Sequence, residues 1–149
     1  MPFEEGPYVQ MAAFCEQVIE EKTGIASIIR IIDTLTQSAT GPEVPEEMPP
    51  LTRSMKLVLI LKSGRVEGRH EISIMPQSPL GETKQPFVRS IQLEGEERGV
   101  RLTLNIVYTF EYEGVYWFHI LFDDVLITKI PFRVKYERII TGPPTPRSR

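Results

Sequence analysis

The sequence predicts an all-β protein, a single domain in which about seven to eight antiparallel strands form a β-sandwich. The clearest signal lies in residues 114–136, where two apolar runs are joined by Asp123 and Asp124. The second run contains KIPFRVK, in which apolar residues alternate with basic residues and a proline. A period of two places one set of side chains on a core and the other in water, which is typical of a half-buried strand. Similar short runs recur between turn residues, and 149 residues suffice for one domain with its own core.

The segment at residues 11–21 is the element whose type the sequence leaves open. Its apolar residues match helical spacing, and Gly24 suits the position just past the end of a helix. The following run, Ile25–Leu35, is rich in β-branched residues and favours a strand. Because a strand needs a neighbour and residues 22–24 read as a hairpin turn, we predict that Phe14–Glu21 pairs with Ile25–Leu35.

Six further strands are predicted after a Pro- and Glu-rich loop at residues 37–53, where neither helix nor strand is expected. They are Ser54–Lys62, Gly68–Met75, Phe87–Leu93, Val100–Tyr112, Val115–Phe122 and Val125–Arg138. Residues 1–7 are predicted to be a flexible lead-in, and residues 141–149 a disordered tail whose PPTPR resembles the ligands of proline-reading domains. The single domain is therefore assigned to residues 8–140.

The last predicted hairpin contains a conflict of register. If the even-numbered residues 116–120 face the core, a two-residue turn sends the even-numbered apolar residues 130–134 to the opposite face. An extra residue near Thr128–Lys129 would reconcile the two strands, so a β-bulge is predicted there. The alternative is that Trp117 and Leu121 face inward instead. In either case the hairpin carries apolar residues on both faces near its tip, which indicates a covering layer or partner.

Composition excludes several classes of function. The 17 basic and 20 acidic residues give a net charge of −3, and no basic stripe is present to neutralise phosphates, so nucleic-acid binding is not expected. The apolar runs are too short to span a bilayer, and the acidic N-terminus is unlike a signal peptide. A single cysteine, Cys15, excludes an internal disulfide and favours a reducing compartment. A cytoplasmic protein is therefore expected.

Asp123 and Asp124 at the predicted hairpin tip have two interpretations. Loop carboxylates are ligands that Ca²⁺ prefers, and Glu94, Glu96 and Glu97 would complete a site if their turn lay at the same end. Two aspartates between strands are also ordinary turn residues. We therefore expect no metal and no cofactor, and calcium at Asp123 and Asp124 is kept as the alternative.

Cys15 is the residue on which an enzymatic function would depend. A cysteine nucleophile needs a base and a lowered pKa. Cys15 precedes the acidic Glu16, and neither His70 nor His119 lies in a catalytic signature. We expect Cys15 to be a buried core residue, His119 to be structural and His70 to be exposed at a strand start.

Two resemblances carry the fold prediction further. The segment Glu113–Phe118 resembles the turn into a strand of immunoglobulin-like sandwiches, where a glycine precedes a core tyrosine by two residues. The chain also resembles a family of small uncharacterised bacterial proteins in three places, namely AFCE at residues 13–16 followed by Gly24-Ile25, GVYWF at 114–118 and PFRV at 131–134. That resemblance covers Val9–Tyr136 and departs from the family pattern at Glu16 and Asp124. It implies an immunoglobulin-like β-sandwich without an established activity.

These observations predict a non-catalytic binding or scaffolding protein whose partner is another protein or a second copy. The expected contact residues are Phe122, Asp123, Asp124 and Val125 at the hairpin tip, together with an exposed edge strand. The alternative is a sandwich that binds calcium through the tip acids or carbohydrate through an exposed Trp117. A cysteine-based enzyme is the third hypothesis.

Overall fold

The computed structural model describes residues 5–142, which form seven β-strands and no helix. The strands are β1 (Tyr8–Glu20), β2 (Ala26–Ile32), β3 (Thr34–Gly41), β4 (Leu51–Gln77), β5 (Phe87–Phe110), β6 (Gly114–Phe122) and β7 (Val125–Ile140). The all-β prediction is confirmed, and residues 11–20 belong to a strand rather than a helix. The predicted pairing of Phe14–Glu21 with Ile25–Leu35 is confirmed over Ala26–Ile32, because β1 and β2 are antiparallel, with Phe14 opposite Ile32. It is wrong at the end of that run, because Thr34 and Leu35 belong to β3. Most of the predicted lead-in and tail, residues 1–4 and 143–149, lies outside the described residues.

The strands form one open, mixed sheet in the order β2-β1-β4-β6-β7-β3, and β5 lies alongside β4. The expectation of antiparallel pairing throughout is wrong at one place, because β3 runs parallel to β7. The connection between β2 and β3 is too short to reverse the chain, because Asp33 alone separates Ile32 from Thr34. β3 therefore keeps the direction of β2, which is also that of β7. The Asp33 carbonyl accepts a hydrogen bond of 3.0 Å from the Arg133 backbone of β7. The chain thus passes directly from one end of the sheet order to the other.

Two of the gaps between predicted strands are absorbed into continuous strands. β4 is 27 residues long and β5 is 24 residues long, and each replaces two predicted strands. The gap between the predicted strands Ser54–Lys62 and Gly68–Met75 is instead an irregular stretch of β4, where the register with β5 shifts between Lys62 and Glu67. Before this stretch β4 pairs with β1, and after it β4 pairs with β6.

The long β4–β5 hairpin folds back on itself. Phe14 of β1 lies opposite Leu57, whereas Phe118 of β6 lies opposite Pro76, and a straight strand from residue 57 to residue 76 would span about 60 Å. The rings of Phe14 and Phe118 nevertheless have centroids only 4.7 Å apart. The two halves of the hairpin therefore face each other across one shared core.

Aromatic side chains fill the centre of this core. Phe14 also packs edge-on against Phe132 at 5.2 Å, and Phe110 stacks on Phe132 at 5.7 Å. Tyr116 meets Phe110 at 5.0 Å, so β1, β5, β6 and β7 all contribute rings to one cluster. Aromatic pairs in these geometries add to the free energy gained by removing the rings from water.

The predicted β-bulge in the last hairpin is confirmed. Ile120 lies opposite Thr128 while its neighbour Leu121 lies opposite Leu126, so Ile127 is the extra residue. The shift lets both strands turn apolar residues into the core, as predicted. Those buried residues are Tyr116, Phe118, Ile120, Phe132 and Val134.

The Pro- and Glu-rich segment is more ordered than its composition indicates. Residues 37–41 belong to β3 and residues 51–53 to β4, so the expectation of no strand within 37–53 is wrong at both ends. In the middle, the Tyr136 hydroxyl donates to the Pro45 carbonyl at 2.7 Å, and the Arg138 guanidinium donates to the Val44 carbonyl at 3.0 Å. Met48 is buried in the core. Backbone pairing and tertiary contacts on β7 thus outweigh the local turn propensity of the prolines.

A close approach of two backbones requires glycine at the fold-back. A Cβ atom at Gly99 would lie 1.8 Å from the Leu61 carbonyl oxygen. Gly64 has a φ of +63°, and a Cβ there would lie 1.8 Å from the Glu5 carbonyl oxygen, which accepts a hydrogen bond from the Arg65 backbone. Only glycine fits both sites without displacement of the neighbouring chain.

Candidate functional site

The hairpin tip between β6 and β7 is a two-residue turn. Asp123 and Asp124 have φ angles of 45° and 66°, the left-handed pair that a type I′ turn requires. Aspartate tolerates this conformation better than most residues because its short side chain forms local hydrogen bonds. The turn predicted at these two residues is confirmed.

Asp123 connects this tip to β4. Its Oδ1 accepts a hydrogen bond of 2.9 Å from the Glu71 backbone N–H, and its own N–H donates to the Glu71 carbonyl at 2.9 Å. Its Oδ2 lies 2.6 Å from Nδ1 of His70. The other ring nitrogen of His70, Nε2, lies 2.8 Å from the Glu67 carbonyl oxygen. One aspartate side chain thus holds both the backbone and a histidine of the neighbouring strand.

These contacts shift the protonation of both partners. The hydrogen bond to the Asp123 carboxylate and that to the Glu67 carbonyl raise the pKa of His70 above its ordinary value of 6.5. The hydrogen bond with His70 and the hydrogen bond from the Glu71 N–H both stabilise the carboxylate, and they lower the pKa of Asp123 below 3.8. The prediction of an exposed His70 missed this pairing, because the two residues lie 53 positions apart and no local pattern connects them.

The four residues predicted to bind a partner have different environments. Phe122 is buried, with 9% of its surface exposed, and its ring lies 4.8 Å from that of His70. Val125 is 65% exposed, and Leu126, which was not singled out in the sequence, is 49% exposed. The apolar surface of the tip therefore consists of Val125 and Leu126, while Phe122 supports it from beneath.

The acidic residues considered for calcium do not converge. In residues 5–142 no group of three Asp, Glu, His or Cys side chains is placed to hold a metal ion. The Asp123 carboxylate is engaged by His70, and Glu94 faces Arg98 at 3.9 Å. The geometry gives the calcium alternative no support.

The other candidate residues, Cys15, His119 and Trp117, are buried or are engaged by neighbouring side chains. Cys15 is fully buried, and burial raises the pKa of its thiol, which disfavours the nucleophilic thiolate. His119 hydrogen bonds to the side chain of Gln77 at 3.1 Å. Lys129 lies over the ring of Trp117, with Nζ 4.6 Å from the centroid, so this face of the ring is covered by a cation.

The edge of β5 is the second surface of interest. Among the described strands β5 pairs with β4 alone, so its far edge carries unpaired backbone groups. Its second half, residues 102–110, reads LTLNIVYTF and contains no charge, and Val107 is 62% exposed. The fold-back brings the start of β5 to this half, and an open groove of about 450 Å³ lies between them. The groove is lined by Lys84, Gln85, Phe87, Val107, Tyr108 and Thr109.

The edge at β2 differs from the β5 edge. Arg30 interrupts β2 with a φ of 57° and pairs with Glu16 at 3.1 Å. A charged residue in a left-handed conformation hinders the addition of a further strand. The two edges therefore differ in how readily they accept a partner.

A family model matches residues 10–135, which include most of β1 and of β7 and everything between them. The chain belongs to DUF6941, a family of unknown function. The resemblance to an uncharacterised family, predicted over Val9–Tyr136, is confirmed to that extent. Both the β5 edge and the hairpin tip lie within the DUF6941 domain. No curated protein matches the chain. No helix that could cross a membrane is present in residues 5–142.

Proposed function

We propose that this chain is a non-catalytic, cytoplasmic bacterial protein that binds or scaffolds other proteins through the open edge of β5. The observation that carries the proposal is the uncharged, unpaired second half of this strand. Exposed strand edges attract further strands, and proteins usually blunt them with charges, prolines or bulges. Residues 102–110 contain no charged residue and no proline, and their register with β4 is regular, without a bulge.

The partner proposed is an extended protein segment, which would add as a strand to β5. Backbone hydrogen bonds would supply affinity, and the neighbouring groove would select side chains. The groove offers the exposed Val107, the half-buried Phe87 and the ammonium group of Lys84, which lies 5.2 Å from the Tyr108 ring centroid. Such a lining suits an apolar side chain, since the Lys84 ammonium is already paired with Glu111 at 3.7 Å. A second copy of the chain is the other occupant that this edge permits.

We also propose that the fold is an immunoglobulin-like sandwich, a scaffold often used for binding. Two features support this assignment. The Tyr116 hydroxyl donates to the Tyr112 carbonyl at 2.9 Å and accepts from the Tyr112 N–H at 3.0 Å, which corresponds to a tyrosine corner. The neighbours β7, β6, β4 and β5 also follow the order of the G, F, C and C′ strands of variable-type domains.

The absence of catalysis is part of the proposal and is supported by the state of Cys15. Its thiol is buried and its pKa is raised, so the residue lacks both access and activation. The open groove beside β5 contains no histidine and no carboxylate among its lining residues. General acid–base chemistry has no evident pair of groups there.

The test is a comparison of three exposed apolar positions changed to lysine. Val107→Lys places a charge at the β5 edge, Ile31→Lys does the same at the β2 edge, and Val125→Lys does so at the hairpin tip. Each native side chain is more than 60% exposed, so the three folds should be equally stable. Full-length proteins are analysed by light scattering for self-association, and by affinity capture with quantitative mass spectrometry for partners.

The proposal expects a stoichiometric complex that wild type and Ile31→Lys form and Val107→Lys loses. Loss in Val125→Lys alone would transfer the function to the hairpin tip. A wild-type monomer without a partner, or a complex indifferent to Val107→Lys, would contradict the β5 edge as the binding surface.

A further inference from the structure

We propose that the β6–β7 tip is held to β4 by a pH-sensitive latch, which closes when the His70 imidazole is doubly protonated and opens when it loses a proton. The latch consists of His70, the Asp123 side chain and the backbone of Glu67 and Glu71. It does not depend on the identity of a partner or on the β5 edge.

The hydrogen bonds define the protonation state of His70 in the closed latch. The Glu67 carbonyl can only accept, so Nε2 at 2.8 Å must carry a hydrogen. The Asp123 carboxylate accepts the Glu71 N–H through Oδ1, and its Oδ2 lies 2.6 Å from Nδ1, a short distance that two facing acceptors would not adopt and that a charge-assisted bond favours. Nδ1 therefore donates as well, and His70 is an imidazolium cation.

Loss of either ring proton leaves one of these short contacts with two acceptors facing each other. If Nδ1 loses its proton, its lone pair faces the Asp123 carboxylate and repels it. If Nε2 loses its proton, its lone pair faces the Glu67 carbonyl oxygen instead. Neither contact can be rescued by rotation of the ring, because both acceptors are fixed by backbone or by a second hydrogen bond. The contact must then lengthen, and the Asp123 turn loses part of its attachment to β4, keeping only its two hydrogen bonds with the Glu71 backbone.

The surroundings of His70 make Asp123 the charge that controls it. Across the β4–β5 ladder, His70 lies opposite the uncharged Ile91; the charged residue on the same face of β5, Arg89, lies opposite Ile72 and donates to the Val88 carbonyl. On the tip side the ring meets Phe122 at 4.8 Å. The adjacent Arg69 and Glu71 alternate to the other face of the strand. The His70 side chain is 22% exposed, so water can exchange its protons.

The direction of the pH dependence follows from the two partners. The raised pKa of His70 means that the latch is fully formed below 6.5 and lost as the pH rises through the higher value of the folded protein. The lowered pKa of Asp123 means that it is also lost as the pH falls through a value below 3.8. The latch is thus closed in mildly acidic solution and opens toward alkaline pH. Opening loosens the turn that directly precedes the exposed Val125 and Leu126.

Nuclear magnetic resonance of the isotopically labelled full-length protein tests this inference. The His70 ring signals, assigned with a His70→Gln variant, are titrated from about pH 5 to about pH 9. Hydrogen exchange of the Asp123 amide, which donates to Glu71, reports the attachment of the tip. We expect a His70 midpoint above 6.5 and a loss of Asp123 amide protection, by about tenfold, with the same midpoint.

Asp123→Asn and Asp124→Asn form a matched pair. Each removes one negative charge from the same turn, and asparagine tolerates the left-handed conformation at both positions. Asp123→Asn should lower the His70 midpoint and abolish the pH dependence of the Asp123-position amide protection, measured relative to intrinsic exchange, whereas Asp124→Asn should leave both nearly unchanged. Equal effects of the two variants, or a wild-type midpoint at or below 6.5, would overturn the latch.

Discussion

The two ends of the β6–β7 hairpin are held in place by different physical forces. Near its open end, Tyr116, Phe118 and Phe132 are buried in the aromatic cluster, and their contribution depends little on pH or salt. Near its tip, Asp123 and His70 are partly exposed and hold the turn by a charge-assisted hydrogen bond. One hairpin thus has an open end fixed by burial and a tip whose attachment depends on the protonation of His70. The position of a residue along a strand therefore does not reveal which interactions hold it there.

The largest effect is expected where the aromatic cluster is cut. Phe118 is fully buried and meets Phe14 and Tyr108 at 4.7 and 5.7 Å. Phe118→Ala should lower the free energy of unfolding by about 3–5 kcal/mol, through lost burial and a cavity. Urea denaturation measures it, with the exposed Val125→Ala as control. A loss below about 1 kcal/mol would mean that the two halves of the β4–β5 hairpin do not depend on this cluster.

The second largest loss of stability is expected where the β4–β5 hairpin folds back and two backbones lie close together. Gly99→Ala should destabilise the protein by about 1–3 kcal/mol, because the new Cβ meets the Leu61 carbonyl oxygen at 1.8 Å and the ladder must shift. Gly142→Ala is the matched control, since nothing lies within 4 Å of a Cβ there. Both are measured by chemical denaturation. Equal stability of the two variants would show that the backbones do not approach so closely.

The polar contact at the fixed end should contribute less. Tyr116→Phe keeps the buried ring but removes the hydroxyl that bonds to the Tyr112 N–H and carbonyl. We expect a loss of about 1–2 kcal/mol, because two backbone groups lose their partner. Tyr112→Phe, at a half-exposed ring, should be close to neutral. If Tyr116→Phe is also neutral, water replaces the hydroxyl and the corner is not a stabilising feature.

The contribution of the hairpin tip to stability should depend on pH. Wild type should exceed Asp123→Asn in melting temperature most clearly at about pH 5.5, between the ordinary pKa values of the two partners. The difference should shrink toward alkaline pH as His70 loses its proton, which follows from the raised pKa of His70 in the folded state. Asp124→Asn serves as the reference, and a difference independent of pH would indicate a merely structural role for Asp123.

The smallest effect on stability is expected at the exposed tip. Val125→Lys should change the free energy of unfolding by less than about 0.5 kcal/mol, because its side chain is 65% exposed. Phe122→Lys should unfold much of the tip, because this side chain is buried against His70. Thermal melts separate the two. Similar tolerance of both would mean that Phe122 is accessible after all.

Much of the fold follows from local pattern. Alternation in residues 129–135 identified β7, and the conflict of register in the same hairpin identified the bulge now located at Ile127. The β-branched run after Gly24 identified the β1–β2 pair. These inferences succeeded because period, turn chemistry and β propensity act within a few residues.

The predictions that failed depend on contacts between distant residues. The parallel pairing of β3 with β7 joins residues 99 positions apart, such as Thr34 and Arg133. The strand at residues 37–41 exists because β7 offers it backbone partners, whatever its composition. The pairing of His70 with Asp123 required β4 and β6 to be neighbours, which the sequence did not reveal.

The sequence alone determined the all-β class, the turn at Asp123 and Asp124, the core positions of the last hairpin and the placement of Cys15 as a core residue. These features follow from side-chain chemistry read at short range, where each residue's surroundings are set by its immediate neighbours. Only the tertiary structure decided that β4 and β5 fold back as continuous strands, that the β5 edge stays open and that His70 holds the tip. Those features depend on which segments meet in space, and that is settled by the burial of the whole core.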